Sequence, residues 1–148
     1  MYNLAWTRRN LEQEEEALAT FDQLSETYAS SPLAANARFT IGDYLYNDQR
    51  YEEALAAYEE VVERYPDSDV AKKVPEILGD LREVVAYLQY SDVESVFVEA
   101  LAEEDPAKFR HAIAGFVKIA ETFPGTESEI RAFSNLCITH EAPGEVDE

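Results

Sequence analysis

The side chains best suited to chemistry are few and far apart in this sequence. The single cysteine, Cys137, lies three residues before His140, and the other histidine is His111. Residues at that spacing share one face of a helix, so both could touch a metal ion. A structural zinc site needs about four ligands, and a Cys–His nucleophile needs an orienting group and an oxyanion hole. We therefore predict no metal site, no catalytic site and no cofactor.

Motifs of the common enzyme classes are missing as well. The glycines are isolated, so no glycine-rich loop could hold a phosphate, and no Gly-x-Ser-x-Gly nucleophile motif occurs. With 31 Asp and Glu, no pair of carboxylates stands out as an acid and a base. The acidic run at residues 12–16 precedes an apolar segment, where acids favour the start of a helix and are solvated. The sequence predicts that the protein is not an enzyme.

The charge excludes two classes of partner. Only 12 Lys and Arg oppose the 31 acids, so the formal net charge is -19. Such a surface repels nucleic acid and anionic membranes. No run of about 18 apolar residues could span a membrane. At the same time, hydrophobic residues make up 46% of the 148-residue chain, which is enough to fill the core of one folded domain.

The apolar periodicity is helical throughout the chain. In residues 51–62 the apolar side chains recur at i, i+3, i+4 and i+7, with glutamates on the other face. No Asn-Gly or Asp-Gly hairpin signal interrupts this pattern. The expected class is all-α, with helices at about 2–10, 13–29, 33–47, 51–64, 69–89, 92–103, 106–122 and 127–139.

A pattern of small and aromatic residues repeats along the chain. Residues 17–21 recur 37 positions later as residues 54–58, and these recur 58 positions later as residues 112–116. The longer second step predicts an insertion between Gly79 and Phe109. Because repeated units of this length cannot bury their apolar faces alone, we expect them to stack.

One of the expected helices, residues 92–103, lies inside this insertion. Ser91 followed by Glu94 predicts a capping box at its start. An alternative pairing joins helices 69–89 and 92–103 as one hairpin and helices 106–122 and 127–139 as the next. Both arrangements are all-helical.

The second repeat resembles the tetratricopeptide repeat (TPR) family. That family places an apolar-Gly pair, a small residue, an aromatic and a proline at fixed spacings. Here these positions are Ile41-Gly42, Ala54, Tyr58 and Pro66, with Arg38 where the family has Trp. The resemblance implies a TPR-like solenoid of helical hairpins, wound as a right-handed superhelix, with an extra helix inserted in the third repeat.

The resemblance also predicts the domain organisation. Residues 1–140 are expected to form a single TPR-like domain, followed by an acidic tail or linker at residues 141–148. The repeats are expected at about 1–32, 33–69, 70–124 with the insertion near 84–105, and a partial fourth at 125–140. Gly42 and Gly79 are expected where paired helices cross closely, and Cys137 at a small, buried position.

A narrower resemblance concerns the junction Tyr65-Pro66-Asp67-Ser68. It is similar to repeats of bacterial envelope proteins, such as the lipoprotein of the outer-membrane assembly machine and the periplasmic coordinator of the Tol-Pal system. This implies a bacterial origin and leaves the compartment open between periplasm and cytoplasm. Because the chain starts at once in what reads as the middle of a helix and ends in what reads as a tail or the start of a linker, we also expect a segment of a larger bacterial repeat protein.

In the TPR family, the first helix of each hairpin faces a concave groove. The resemblance and the 37-residue offset predict these groove residues: Tyr2, Trp6, Arg9, Phe39, Asp43, Tyr46, Glu76, Asp80 and Glu83. Aromatic anchors beside charges are typical of peptide-binding sites. Family members that clamp a peptide carboxylate use Lys and Asn, whereas acids here repel one. We expect a protein or peptide partner of basic or apolar character.

The predicted function is a non-catalytic protein–protein interaction scaffold that binds a peptide or protein in this groove. A competing interpretation is that neighbouring helices or the inserted segment cover the groove aromatics. A second function is also open. Solenoid ends normally need a polar outer face, and ends without one favour a self-assembly module that forms dimers or filaments.

Overall fold

The computed structural model describes residues 1–140, and all regular secondary structure in this range is helical. The elements are α1 (Tyr2–Asn10), α2 (Glu14–Thr27), α3 (Pro32–Asn47), α4 (Tyr51–Arg64), α5 (Val74–Glu103), α6 (Pro106–Thr122) and α7 (Glu127–His140). This confirms the all-α class. The acidic tail expected at residues 141–148 lies outside the described residues.

Two helices begin at a capping side chain followed by a proline. Ser31 Oγ accepts a hydrogen bond of 3.2 Å from the Leu33 amide at the start of α3. Asp105 Oδ1 accepts one of 2.8 Å from the Ala107 amide at the start of α6. In both helices proline occupies the first position, where it has no amide to leave unpaired. These starts agree with the sequence interpretation.

The insertion is helical as expected, but it does not form a separate helix. Helix α5 runs for 30 residues without a break. Neither Pro nor Gly occurs between Asp80 and Glu103, so nothing in this stretch stops the helix. Instead of a capping box, the Tyr90 hydroxyl donates to Glu94 at 2.7 Å within the helix. The expected helix at 92–103 and the alternative hairpin built on it are therefore wrong.

The chain forms two compact units, and the first spans Met1–Leu81. In this unit α1 packs on α2, α2 on α3, and α3 on α4. The centre is filled by small and apolar residues that are at most 7% exposed: Ala5, Ala17, Phe21, Leu24, Ala34, Ala37, Ile41, Leu45, Ala54, Tyr58 and Val61.

The second unit begins at Arg82 and contains the rest of α5 together with α6 and α7. Helix α6 packs on α7, the pair that the alternative arrangement joined as its second hairpin. Phe116 on α6 is fully buried, and the rings of Tyr90 and Phe97 on α5 approach it at 5.7 and 5.6 Å. Phe116 is therefore a core residue of this unit.

An equivalent pair of aromatic rings joins two helices in each of three places. The rings of Tyr2 and Phe21 are 5.8 Å apart, and those 37 residues later, Phe39 and Tyr58, are 5.4 Å apart. Phe97 pairs with Phe116 at 5.6 Å, 58 residues after the second pair. All three pairs meet edge to face, an arrangement that aromatic rings prefer. The shared contact identifies the later part of α5 and α6 as a hairpin of the same type.

The turns inside these three hairpins share a backbone feature. Glu12, Gln49 and Glu104 have φ of 60°, 61° and 52° and follow α1, α3 and α5. A residue in this left-handed region commonly ends a helix, although glycine adopts it at lower cost. The expected helices leave a gap at each of these turns, but the left-handed backbone was not apparent from the sequence, because none of the three residues is a glycine.

The two glycines expected at helix crossings differ in their surroundings. A Cβ atom on Gly42 would lie 2.7 Å from Tyr58 Cε1, so α3 and α4 do require a glycine at this crossing. A Cβ atom on Gly79 would meet nothing within 4 Å. The expectation is confirmed for Gly42 and wrong for Gly79, which lies exposed on α5.

Arg38, which stands where the TPR family has Trp, lies at the centre of a chain of ion pairs. Its guanidinium contacts Asp22 on α2 at 2.7 Å and also Glu60 on α4. Glu60 and Glu26 in turn contact Arg64. Because the Arg38 and Glu60 side chains are only 18% and 23% exposed, their ion pair is less screened than an ordinary surface pair. The chain of ion pairs ties α2, α3 and α4 together in place of an aromatic contact.

Candidate functional site: a cavity lined by α1, α2 and α3

Two helices of the first unit each carry three of the predicted groove residues on one face. Helix α1 carries Tyr2, Trp6 and Arg9, and α3 carries Phe39, Asp43 and Tyr46. In both sets the spacing is i, i+4 and i+7, which keeps the side chains on one side of a helix.

The structure brings Trp6, Arg9 and Asp43 together around one cavity of about 140 Å³. Helix α1 contributes the first two residues and α3 contributes Asp43. The remaining lining comes from α2 and α3: Glu14, Ala17, Leu18, Phe21, Thr40, Tyr44 and Asn47. The cavity thus combines an apolar interior with carboxylate and amide groups.

Trp6 forms the aromatic side of the cavity. Its ring meets Phe21 edge to face at 5.7 Å and Tyr2 at 6.2 Å, and these contacts restrict its orientation. The guanidinium carbon of Arg9 lies 4.9 Å from the Trp6 ring centroid, within the range of a cation–π contact. Within the described part of the chain, Arg9 forms no ion pair.

Two carboxylates of the cavity are held by tyrosine hydroxyls. The Tyr58 hydroxyl donates to Asp43 Oδ1 at 2.6 Å, and the Tyr44 hydroxyl donates to Glu14 Oε2 at 2.6 Å. Neither carboxylate pairs with a Lys, Arg or His among the residues that the structure describes. Asp43 and Glu14 therefore keep their negative charge available to a ligand.

These hydrogen bonds help to raise the pKa of both tyrosines. The bond to Glu14 is the main reason that the pKa of Tyr44 is raised to about 12. For Tyr58, burial raises the pKa first, and the bond to Asp43 raises it further. Both tyrosines therefore stay protonated at neutral pH and remain hydrogen-bond donors.

Tyr2, Phe39 and Tyr46 take other positions. Tyr2 and Phe39 are partly buried in their ring contacts with Phe21 and Tyr58, so neighbouring helices cover part of each ring. Tyr46 is 46% exposed and meets the Tyr51 ring at 5.6 Å. Of the three, Tyr46 is the ring most accessible to a partner.

The third predicted set, Glu76, Asp80 and Glu83, does not line the cavity. All three lie exposed on α5. Glu83, in the second unit, accepts a hydrogen bond of 3.3 Å from the Glu127 amide at the start of α7. This contact resembles a helix cap and gives Glu83 a structural role.

Sequence reasoning missed Glu14 and Tyr44. Glu14 was interpreted as one of several solvated acids at a helix start, and α2 does begin there. What distinguishes Glu14 from Glu15 and Glu16 is its hydrogen bond with Tyr44, which lies 30 positions away on α3. No local pattern could therefore have marked it as a site residue.

The described residues were also compared with the expectations for metal binding, for Cys137 and for membrane-spanning helices. The residues that it describes include no group of three or more His, Cys, Asp or Glu placed to hold a metal ion. Cys137 is exposed, so the expectation of a buried thiol is wrong, since no described helix covers that side of α7. None of the described helices is both long and apolar enough to cross a membrane.

Helix pairs that cross at small residues and share an equivalent edge-to-face aromatic contact define a protein built from helical-hairpin repeats. Residues 2–69 match the family model described as tetratricopeptide repeat. The matched part, slightly less than half of the chain, contains α1 to α4 and the whole cavity. No curated protein and no solved structure gives a match. Repeats of this family generally mediate protein–protein interaction.

Proposed function

We propose that the protein is a non-catalytic interaction scaffold that binds a peptide or protein segment along α1 and α3. The observation that carries this proposal is the cavity between α1, α2 and α3, where an aromatic wall adjoins two carboxylates without basic partners in the described chain. A concave, mostly apolar site with a few fixed polar groups is the usual form of a binding site.

The proposed partner is basic or apolar. The chain carries a net charge of -19, and the cavity adds Asp43 and Glu14 to that field. Acidic segments are repelled by such a surface, and basic ones are attracted to it. Tyr46, with 46% of its surface exposed, provides an apolar contact on the same face of α3 as Asp43.

A random peptide library displayed on phage tests this proposal. We expect selection to enrich peptides with basic and apolar residues. The affinity of these peptides should fall about tenfold in Tyr46→Ser. This corresponds to about 1.4 kcal/mol, which is less than the loss of a central hot-spot aromatic, about 2 kcal/mol or more. The measurement is the dissociation constant of an enriched peptide by isothermal titration calorimetry.

Tyr28→Ser is the matched control, because Tyr28 is 52% exposed, lies after α2 and is outside the predicted groove. It should leave the dissociation constant unchanged. Failure to enrich any peptide, or an equal loss in both variants, would contradict groove binding.

A second candidate function is self-assembly, which exposed apolar side chains on α7 favour. Ile130 and Phe133 are 68% and 52% exposed and lie one helical turn apart. Leu4 on α1 is 49% exposed, and Leu11, which directly follows α1, is 64% exposed. Exposed apolar side chains that are neighbours on one helix, as Ile130 and Phe133 are, can form part of an interface.

Sedimentation velocity over a concentration series tests self-assembly. If α7 mediates it, the wild-type chain should form dimers or larger species at high concentration, and Phe133→Glu should shift the dissociation constant upward at least about tenfold. Val98→Glu introduces the same charge at a residue that is 59% exposed on α5, and serves as the control. A wild-type chain that stays monomeric at every concentration would exclude this function.

The finer family resemblance is part of the proposal as well. The similarity of residues 65–68 to bacterial envelope repeat proteins supports a bacterial host. The division of residues 1–140 into three repeats and a partial fourth, within one domain, stays a prediction.

A further inference from the structure

We propose that the cavity between α1, α2 and α3 binds one cationic side chain of a partner peptide, an arginine in preference to a lysine. This inference rests on the proposed function and specifies the chemistry of the same site. It assigns the recognition to Trp6, Asp43 and Glu14, and it assigns Arg9 the role of an internal competitor.

The size of the cavity suits a single side-chain end. Its volume is about 140 Å³. An apolar cavity of ~150 Å³ is large enough to hold benzene, and a guanidinium is also a small planar group. The site can therefore take the end of one side chain but not a folded element.

The charges favour a cation. Each carboxylate receives a hydrogen bond from a tyrosine hydroxyl at 2.6 Å, which fixes its position before any ligand arrives. Tyr58 is 2% exposed, so the Asp43 contact is anchored in the core of the unit. A carboxylate that is already oriented pays little ordering entropy when it accepts a charge-assisted hydrogen bond.

The aromatic wall favours a guanidinium. The ring of Trp6 is restrained by Phe21 and Tyr2, and tryptophan is the side chain that binds cations best through its π face. A planar guanidinium can stack on such a ring while it donates hydrogen bonds from its edge. An ammonium group is more strongly hydrated and cannot stack in this way.

Arg9 shows that the molecule already places a guanidinium at this wall. Its Cζ atom is 4.9 Å from the Trp6 centroid, yet it forms no ion pair with a described residue. Arg9 therefore occupies the aromatic face without neutralising Asp43 or Glu14. A ligand arginine must share or displace this contact, so removal of Arg9 should strengthen binding.

Trp6 is the single tryptophan of the chain, so its fluorescence reports on the cavity directly. The probes are the blocked pentapeptide Gly-Leu-Arg-Leu-Gly and a twin in which neutral citrulline replaces the arginine. We expect the arginine peptide to change Trp6 emission saturably. The citrulline twin should bind at least about tenfold more weakly, which is the loss expected for one charge-assisted hydrogen bond.

Variants then separate the two charges from the shape of the site. Asp43→Asn and Glu14→Gln keep an oxygen that can accept the tyrosine hydrogen bond but remove the negative charge. Each should weaken the arginine peptide severalfold and leave the citrulline peptide unchanged. Circular dichroism of each variant checks that the helices are intact.

Arg9→Gln provides a test in the opposite direction. It should tighten the arginine peptide about two- to fivefold, since one exposed cation–π contact of the competitor is lost. Arg131→Gln removes the same charge from a residue outside the cavity, where Arg131 pairs with Glu127 at 2.7 Å, and should have no effect. An equal gain in affinity in both variants would show that the effect comes from net charge alone, and it would overturn the role of Arg9.

Two outcomes overturn the proposed cation site. One is equal binding of the arginine and citrulline peptides, and the other is no response of Trp6 to the arginine peptide at millimolar concentration. If library peptides still bind through Tyr46 in either case, the scaffold function stands and only the cation site is lost. If the library peptides also fail to bind, both the scaffold function and the cation site are excluded.

Discussion

Replacing Phe116 by alanine is expected to lower the free energy of unfolding by about 3–5 kcal/mol. Phe116 is fully buried in the second unit, between the rings of Tyr90 and Phe97. Alanine removes the buried ring surface, and the two remaining rings then face a cavity that helices cannot close without moving. This loss is comparable to the whole stability of a small domain.

Urea unfolding followed by far-UV circular dichroism measures this loss. Val117→Ala is the control, because Val117 is the next residue on α6 and is 40% exposed. It should change the free energy of unfolding by less than about 1 kcal/mol. Similar losses in the two variants would show that Phe116 is not the packing centre of this unit.

Alanine at Gly42 and alanine at Gly79 are expected to change stability in opposite directions. At Gly42 the new Cβ would lie 2.7 Å from Tyr58 Cε1, and Tyr58 is held by Phe39 and by its hydrogen bond to Asp43. Crowding in a packed core costs about 1–3 kcal/mol. Because alanine also favours the helix by about 1 kcal/mol, we expect a net loss of up to about 2 kcal/mol.

At Gly79 the added Cβ meets no atom within 4 Å, so the preference of alanine for the helix acts alone. Gly79→Ala should raise the free energy of unfolding by about 0.5–1 kcal/mol. The pair makes a matched experiment, since the same substitution is made in two helices. Thermal and urea unfolding of both variants measure the difference, and stabilisation by Gly42→Ala would contradict the close crossing of α3 and α4.

The repeats show how far sequence reasoning reached. The small and aromatic residues at 17–21, 54–58 and 112–116 predicted three equivalent helices, and their aromatic members, Phe21, Tyr58 and Phe116, are all buried. Local spacing was sufficient here because each unit repeats the same packing rule. For the third of these helices, α6, the sequence predicted a close crossing with the helix that contains Gly79. In the structure its ring contact comes from Phe97, and Gly79 takes no part in a close crossing.

The candidate site was predicted only in part. Trp6, Arg9 and Asp43 were expected in a groove from their spacing on two helices, and they do line one cavity. Glu14 and Tyr44 were missed, because their meeting depends on the packing of α2 against α3. The acids Glu76, Asp80 and Glu83 were extrapolated by the same offset from α3, which has 16 residues, to α5, which has 30.

By itself, the sequence determined the helical class, the position of most helix ends and the pairing of small with aromatic residues. These depend on contacts within a few turns of one helix, on capping residues and on proline, so they can be read locally. Only the tertiary structure decided that Gly42 but not Gly79 needs to be glycine, and that Glu14 joins Trp6 and Asp43. These features depend on which residues of separate helices meet, and that information is spread over distances of 16 to 30 residues in the chain.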